Sequence, residues 1–355
     1  WKSLRGDDFK DGLYPGLPWF LQDMRPRGFL GRSFARSHAR ALNAQLDPSE
    51  WSDAQVLDAL CHYGEDMPGA FVLGQEMLTR VQDLSEQTRD WIQEKERARD
   101  YPQFAERSLC GEWPGSSAAG EQPKFLATVC DTSDRVRHVL VKFSGNTDQP
   151  EARRWSDLLH AEYHANQILS EAGESCALSR IVQAAGRTFL ESERFDRCGS
   201  SGRRAVVSLE ALDAAYLGLN GMPWNRAAGK LRDAGWISHH DAERLSLYWW
   251  FGVLIGNSDM HYGNISLFLD PEPPLTLSPL YDMLPMSYRP GVDGTLPFHV
   301  IKLIPSPPEE RKTWVKAAGL AKIFWARVAS DDTISIGFRD IATANHATLS
   351  VMTGE

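Results

Sequence analysis

Residues 251–268 read FGVLIGNSDMHYGNISLF. An apolar run stops at Gly256. Asn257, Asp259, His261 and Asn264 then crowd one short link before the chain turns apolar again. A carboxylate held on such a link can take a proton from a hydroxyl, and an amide oxygen beside it can ligate a hard cation. A second carboxylate, Asp282, closes the run LSPLYD. Lys142 ends the alternating strand HVLVK, and Glu162 lies further on among apolar positions, where an acid needs a partner. Together these are the groups that phosphoryl transfer from ATP requires. A carboxylate orients or deprotonates the attacking hydroxyl, oxygen donors hold Mg²⁺, and a lysine steadied by a glutamate meets the phosphates under a loop of free N–H groups.

Asp259 and Asn264 have the separation of Asp and Asn in the kinase catalytic loop, and Asp282 follows where the Asp of DFG would stand. Its neighbours here are Tyr281 and Met283, so the DFG letters are absent. Asp, Asn and Gly are common in any turn, and the spacing alone does not single out catalysis. His261 could pair with Asp259 on a metal, but no further His or Cys cluster supports a zinc site. The triplet HHD at 239–241 reads as a helix start, and NIS at 264–266 is a glycosylation sequon that matters only in a secreted chain.

The elements that would position these groups follow from pattern. Residues 1–75 mix turn signals with short apolar runs, as in a small α+β subdomain. Within them SEWSDAQVLDALCHYG (49–64) has an N-cap and the apolar positions Val56, Leu57, Leu60 and Cys61 of an amphipathic helix. Residues 76–107 read as polar and helical, with DWIQEKERARD as a solvated face. The stretch EWPGSSAAGEQPKF (112–125) is rich in small residues, and the strands KFLATVC and VRHVLVKF follow it. A helix over 151–173, a strand over 187–196 and a buried helix over 241–256 come next. NISLFL and LTLSPLYD form a hairpin, and the last fifty residues are helical.

The 355 residues can bury a large core. Five cysteines without a CxxC pair give no disulfide framework and fit a reducing cytoplasm. No run reaches the roughly 18 to 20 apolar residues of a membrane span, and no signal peptide is visible, so no membrane role is expected. A net charge of -9 opposes broad binding to nucleic acid by this chain, despite the basic stretch RPRGFLGRSFARSHAR at 25–40. The start at Trp1 rather than Met marks a fragment, from which an N-terminal module could be missing.

On four ordered motifs the sequence resembles the HipA-like serine/threonine kinases, toxins of toxin–antitoxin modules. GNSDMHYGNISLF resembles the catalytic loop N-x-D-x-H-x-x-N-x-S of that family, and LSPLYDM its metal segment L-x-P-x-Y-D. SSAAGEQPK (116–124) resembles the phosphate loop S-x-A-G-x-Q-x-K, and ESERFDR (191–197) the hinge V-E-R-F-D-R. Upstream, LPWFLQDMRPRGFLGR and YGEDMPGAFVL are similar to the family's N-terminal subdomain. The likeness runs from about residue 11 to 340 and is greatest to the single-chain YjjJ or HipH type, in which a DNA-binding module precedes the kinase. The chain departs from the pattern at Pro123, where many members carry Glu, and matches a later Lys-containing box only weakly, in FHVIKLIP (298–305).

The resemblance implies an α+β, two-lobed protein-kinase-like fold. An N-terminal α+β subdomain (1–107) would precede an ATP-binding small lobe (108–196) and a mostly helical catalytic lobe (197–355). It makes Asp259 the base, with Asn264 and Asp282 as Mg²⁺ ligands. Lys142, Glu162, Gly120 and Ser117 would serve ATP, with the hinge backbone at Glu193 and Phe195 meeting adenine. Ser117, or its neighbour Ser116, would be autophosphorylated, and His261 would orient the loop. The expected partners are a protein substrate and an antitoxin or fused DNA-binding module. Two other readings share many of these residues: a catalytically inactive kinase fold used for binding, and a small-molecule kinase.

Overall fold

The computed structural model describes Leu4 and residues 10–14, 16–86, 91–111 and 120–353. In chain order the helices and strands are α1 (Gly28–His38), α2 (Asp53–Tyr63), α3 (Gln75–Glu86), β1 (Ile92–Gln93), α4 (Arg97–Leu109), β2 (Lys124–Cys130) and β3 (Val136–Phe143). Next come α5 (Pro150–Glu171), β4 (Ser179–Ala184), β5 (Arg187–Glu193), β6 (Arg197–Cys198), β7 (Gly202–Arg203), β8 (Val206–Ser208) and α6 (Leu209–Leu212). The chain closes with α7 (Trp224–Asp233), α8 (His239–Ile255), β9 (Ser266–Phe268), β10 (Thr276–Leu277), α9 (Arg311–Ser330) and α10 (Ile336–Thr353). The fold is the mixed α+β type expected. Two compact units form, and neither is a continuous stretch of chain. The first comprises Trp1–Phe143, Glu191–Gly218 and Ser266–Glu272; the second comprises Ser144–Leu190, Leu219–Ile265 and Pro273–Glu355.

In the first unit, α1 and α2 enclose a core of Leu21, Met24, Phe34, Trp51, Val56 and Leu60. Helix α2 starts where the sequence says it should. Ser52 accepts from the Gln55 N–H while the Gln55 side chain takes the Ser52 N–H, a reciprocal cap that satisfies two otherwise orphaned donors. Strands β2 and β3 pair antiparallel from Lys124 opposite Lys142 to Cys130 opposite Val136. Alternation gives the hairpin two faces. Phe125, Val129, Val139 and Val141 are fully buried on one, where Tyr101 and Phe104 of α4 lie 5.3 and 5.4 Å from the Phe125 ring. Lys124 and Lys142 stand opposite each other on the other face.

Residues 76–107 depart from the all-helical expectation. Ile92 and Gln93 form a strand parallel to Val129 and Cys130. Ile92 is buried there, and pairing with β2 accommodates its backbone better than a solvated helix would. Nor is this stretch all solvated face. Arg97 reaches Glu191 at 2.9 Å, and Tyr101 donates to the same carboxylate at 2.8 Å.

In the second unit, α5 begins with Pro150, whose missing N–H costs nothing in the first turn. Helix α8 is apolar nearly throughout and buries Leu245, Leu247, Trp250, Phe251, Leu254 and Ile255. Its N-cap is Ser238, which accepts from the Asp241 N–H at 3.0 Å; the HHD triplet forms the first turn. Trp325 of α9 donates to the Leu254 carbonyl, and α10 packs on α9.

Candidate active site

Helix α8 ends on Gly256 with a left-handed φ of 76°. A Cβ there would lie 2.8 Å from the Ser287 hydroxyl and 3.2 Å from Ile301, so both conformation and space call for glycine. The polar link follows at once. Buried Asn257 accepts the Asp259 N–H on its side-chain oxygen at 3.0 Å. Buried Asn264 donates its side-chain amide to the Asp259 carbonyl at 2.8 Å and its backbone N–H to the His261 carbonyl at 3.1 Å. His261 accepts the Gly263 N–H on Nδ1 at 3.1 Å. The Asp259 backbone is therefore fixed from both sides while its side chain is exposed.

The same unit brings Asp282 to this loop. Leu280 is pinned beyond α5: its N–H donates to Ser175 at 2.9 Å and its carbonyl accepts from Ala177 at 2.8 Å. The Tyr281 hydroxyl then donates to the Gly263 carbonyl at 2.8 Å, and the Asn257 amide reaches the Met283 sulfur at 3.6 Å. Asp282 thus sits between two residues that each bond the loop. Its φ of 59° is sparsely populated for a residue with a Cβ, and contacts on both sides hold it there. Asn264 commits its amide nitrogen to the Asp259 carbonyl, which leaves Oδ1 as the atom that could ligate a cation. One amide oxygen and one carboxylate fit Mg²⁺, which takes hard oxygens, few of them from protein, and completes its shell with phosphate and water. Among the described residues no group of three or more His, Cys, Asp or Glu could hold a metal.

Gly120, Lys142, Glu193 and Phe195 belong to the first unit. Gly120 has φ 103°, and a Cβ on it would fall 2.5 Å from the Lys124 ammonium. Its carbonyl accepts the Phe29 N–H at 2.9 Å, and Glu121 pairs with Arg32 at 2.6 Å, so the end of the small-residue loop is tied to α1. Ser116 and Ser117 lie outside the described residues. Lys124 and Lys142 are both buried and directly opposed on one face of the hairpin. Glu193 pairs with Arg135 at 3.2 Å, and the Phe195 ring stands edge-on to Phe268 at 6.0 Å. Glu162 is buried on α5 in the second unit.

Sequence reasoning missed the use made of the residues around the hinge pair. Arg194 and Arg197 both reach Asp66 at 2.9 Å and both hold Asp196. Asp196 accepts the Gly69 N–H at 2.8 Å, and Arg197 donates to the Met67 and Gly69 carbonyls. Burial alone would raise the Asp196 carboxyl, but the two guanidiniums and the Gly69 N–H outweigh it and hold it well below the usual carboxylate range. Period-2 alternation could not have found this, because β5 ends at Glu193 and Phe195 and Asp196 lie in a turn before β6.

Comparison with known proteins gives the family and the fold. Residues 1–82 match a family described as YjjJ-like toxin, middle domain, and residues 116–339 match the HipA-like C-terminal domain. Toxin YjjJ of Escherichia coli strain K12 is 39% identical over 340 residues, covering 96% of this chain and 76% of that protein. Among solved structures, HipA from the Shewanella oneidensis MR-1 complex of HipA, HipB and operator DNA superimposes with a TM-score of 0.56 at 16% identity, over 94% of this chain and 84% of that one. The Helicobacter pylori proinflammatory kinase CtkA gives a TM-score of 0.41 at 12% identity, over 66% of this chain and 94% of its own.

Proposed function

We propose that this chain, which belongs to the YjjJ-like branch of the HipA-like toxin family, is an ATP-dependent serine/threonine protein kinase that phosphorylates a cellular protein and itself, and so arrests growth. The observation that carries the reading is the geometry around Asp259. Its side chain is exposed, its backbone is clasped by Asn257 and Asn264, and the two neighbours of Asp282 bond the same loop. Asp259 accepts the proton of a serine or threonine hydroxyl as that oxygen bonds the γ-phosphorus. The bond from phosphorus to the bridging oxygen breaks, and ADP leaves with the electron pair. Asn264 Oδ1 and the Asp282 carboxylate would hold Mg²⁺, which when bound neutralises phosphate charge. Gly120, Lys142 and Glu162 serve the ATP phosphates, the backbone at Glu193 and Phe195 meets adenine, and Ser117 or Ser116 accepts phosphate in self-modification. The acceptor is a protein, in keeping with a toxin that acts on a cellular process such as translation. The family also suggests an antitoxin or fused DNA-binding module as partner, and the cytoplasm as the place of action.

The test is phosphate transfer by purified protein with ATP and Mg²⁺. Asp282→Asn should abolish transfer, and Lys142→Ala should raise KM for ATP while lowering kcat, each in a protein that remains folded by circular dichroism. Near-native transfer by Asp282→Asn would remove the metal assignment. Turnover of ATP onto a sugar or amine in place of protein would favour a small-molecule kinase.

A further inference from the structure

The second unit carries an open backbone edge beside the loop of Asp259, in the weakly matched box FHVIKLIP. Residues 297–305 belong to no sheet ladder, but from Val300 to Ile304 burial alternates, with Ile301 buried and Leu303 half-buried between exposed neighbours. His299 stacks on Tyr288 at 4.7 Å, and Ile301 is buried against Gly256. Phe298, Val300 and Ile304 face outward at 73%, 47% and 53% exposure, with Lys302 exposed among them. The backbone alternates too. The Pro297 carbonyl accepts from Arg154, the His299 carbonyl from the Tyr288 hydroxyl, and the Ile301 N–H donates to buried Asn345 at 2.9 Å. Among the described residues, the N–H and C=O groups of Phe298, Val300 and Lys302 make no hydrogen bond. The row ends at Ile304, whose carbonyl accepts from the Trp314 side chain at 3.2 Å; a fixed, apolar segment with such a lateral row of free backbone groups is a template for an added strand.

We propose that residues 298–304 dock an extended segment of the protein substrate by strand addition, an inference that rests on the kinase reading above. Position selects this occupant. Ile301 packs on Gly256, the residue before the link that holds Asp259, so a strand laid along this edge runs past the base. Chemistry selects the segment. Phe298, Val300 and Ile304 ask for apolar side chains at alternate positions. Lys302 and His299 are the only basic or titratable side chains between residues 295 and 308, so an acidic residue belongs opposite Lys302. A lone lysine on a chain of net charge -9 is a poor match for an anionic membrane.

The test compares two variants. Phe298→Ser/Val300→Ser/Ile304→Ser changes only exposed side chains. Val300→Pro removes one free N–H that the fold does not use. The probe is a short fluorescein-labelled peptide that alternates valine with serine and glutamate. Polarisation without ATP should show wild type binding it and both variants binding about tenfold more weakly. In the transfer assay KM for the peptide should rise about as much while KM for ATP stays unchanged. No peptide binding by wild type, or equal binding by all three proteins, overturns the proposal. Wild-type transfer with an unchanged peptide KM in both variants also overturns it and leaves the kinase reading standing. Selective loss of binding without any wild-type transfer keeps the docking edge and removes the kinase reading. A dimer that becomes a monomer in the variants would make the occupant a second copy and overturn the proposal.

Discussion

Asn257 and Asp196 do similar work at two places: each fixes a segment of backbone without touching a reacting atom. Asn257 accepts the Asp259 N–H and reaches Met283, and so ties the two carboxylate-bearing segments together. Asn257→Ala should lower kcat about tenfold, the equivalent of about 1.4 kcal/mol, with KM for ATP little changed. A rise in KM without a fall in kcat would show that it acts on binding instead. Asp196 is buried between two arginines, and removing one partner from such a group costs about 3–5 kcal/mol because the remaining charge is stranded. Its folded-state pKa lies below the ordinary 3.8, so its contribution is present above that value and is lost as pH falls through it toward the folded pKa. Asp196→Asn should therefore be markedly less stable than wild type at neutral pH, and the gap should close in acid below about pH 3.8. Chemical denaturation across that range reads both; a gap independent of pH would contradict the charge argument. The types and spacing of Asp259, Asn264 and Asp282 were legible because chemistry demands them. The contacts of Tyr281 with Gly263, and of Asp66 with Arg194, were not, because no local pattern encodes pairing between distant segments.

At the scale of elements, α8 is a buried rod whose end aims the loop. Any side chain at Gly256 is strained, since the Cβ of alanine would meet Ser287 and Ile301 while holding φ at 76°. Gly256→Ala should cost about 1–2 kcal/mol through strain, and it should reduce transfer more than stability by shifting Asn257. The contrast is Gly252→Ala, whose Cβ meets first the sulfur of Met260, the far part of a flexible side chain. If Gly252→Ala proves the more damaging to the melting temperature, the account of this helix end is wrong. Helices α2, α5 and α8 were readable from apolar spacing, and α2 from its N-cap as well, whereas Pro150 and Ser238 open α5 and α8 a little ahead of the starts that spacing gives. Strand β1 was not, because two residues between polar neighbours carry no periodicity of their own and owe their conformation to β2.

At the scale of the molecule, the expected residues fall in both compact units, and the group expected to serve ATP is itself split between them. Gly120, Lys142, Glu193 and Phe195 share the first; Glu162, Asp259, Asn264 and Asp282 share the second. Composition could not foretell that each unit would be assembled from separate stretches of chain, since that depends on which segments pack together. Among the described residues no helix is long and apolar enough to cross a membrane. If the chain binds ATP with Mg²⁺, a ligand at about a hundred times its Kd adds about 2.7 kcal/mol to stability. A rise in melting temperature with ATP and Mg²⁺ should appear in wild type and shrink in Lys142→Ala, and equal shifts in both would place the nucleotide elsewhere. The central claim, that Asp259 drives phosphate transfer, meets its most direct test in γ-labelled ATP. Wild-type protein with Mg²⁺ should acquire label on serine or threonine, and Asp259→Asn, with an unchanged melting temperature, should acquire none; equal labelling of the two proteins would contradict the assignment of the base.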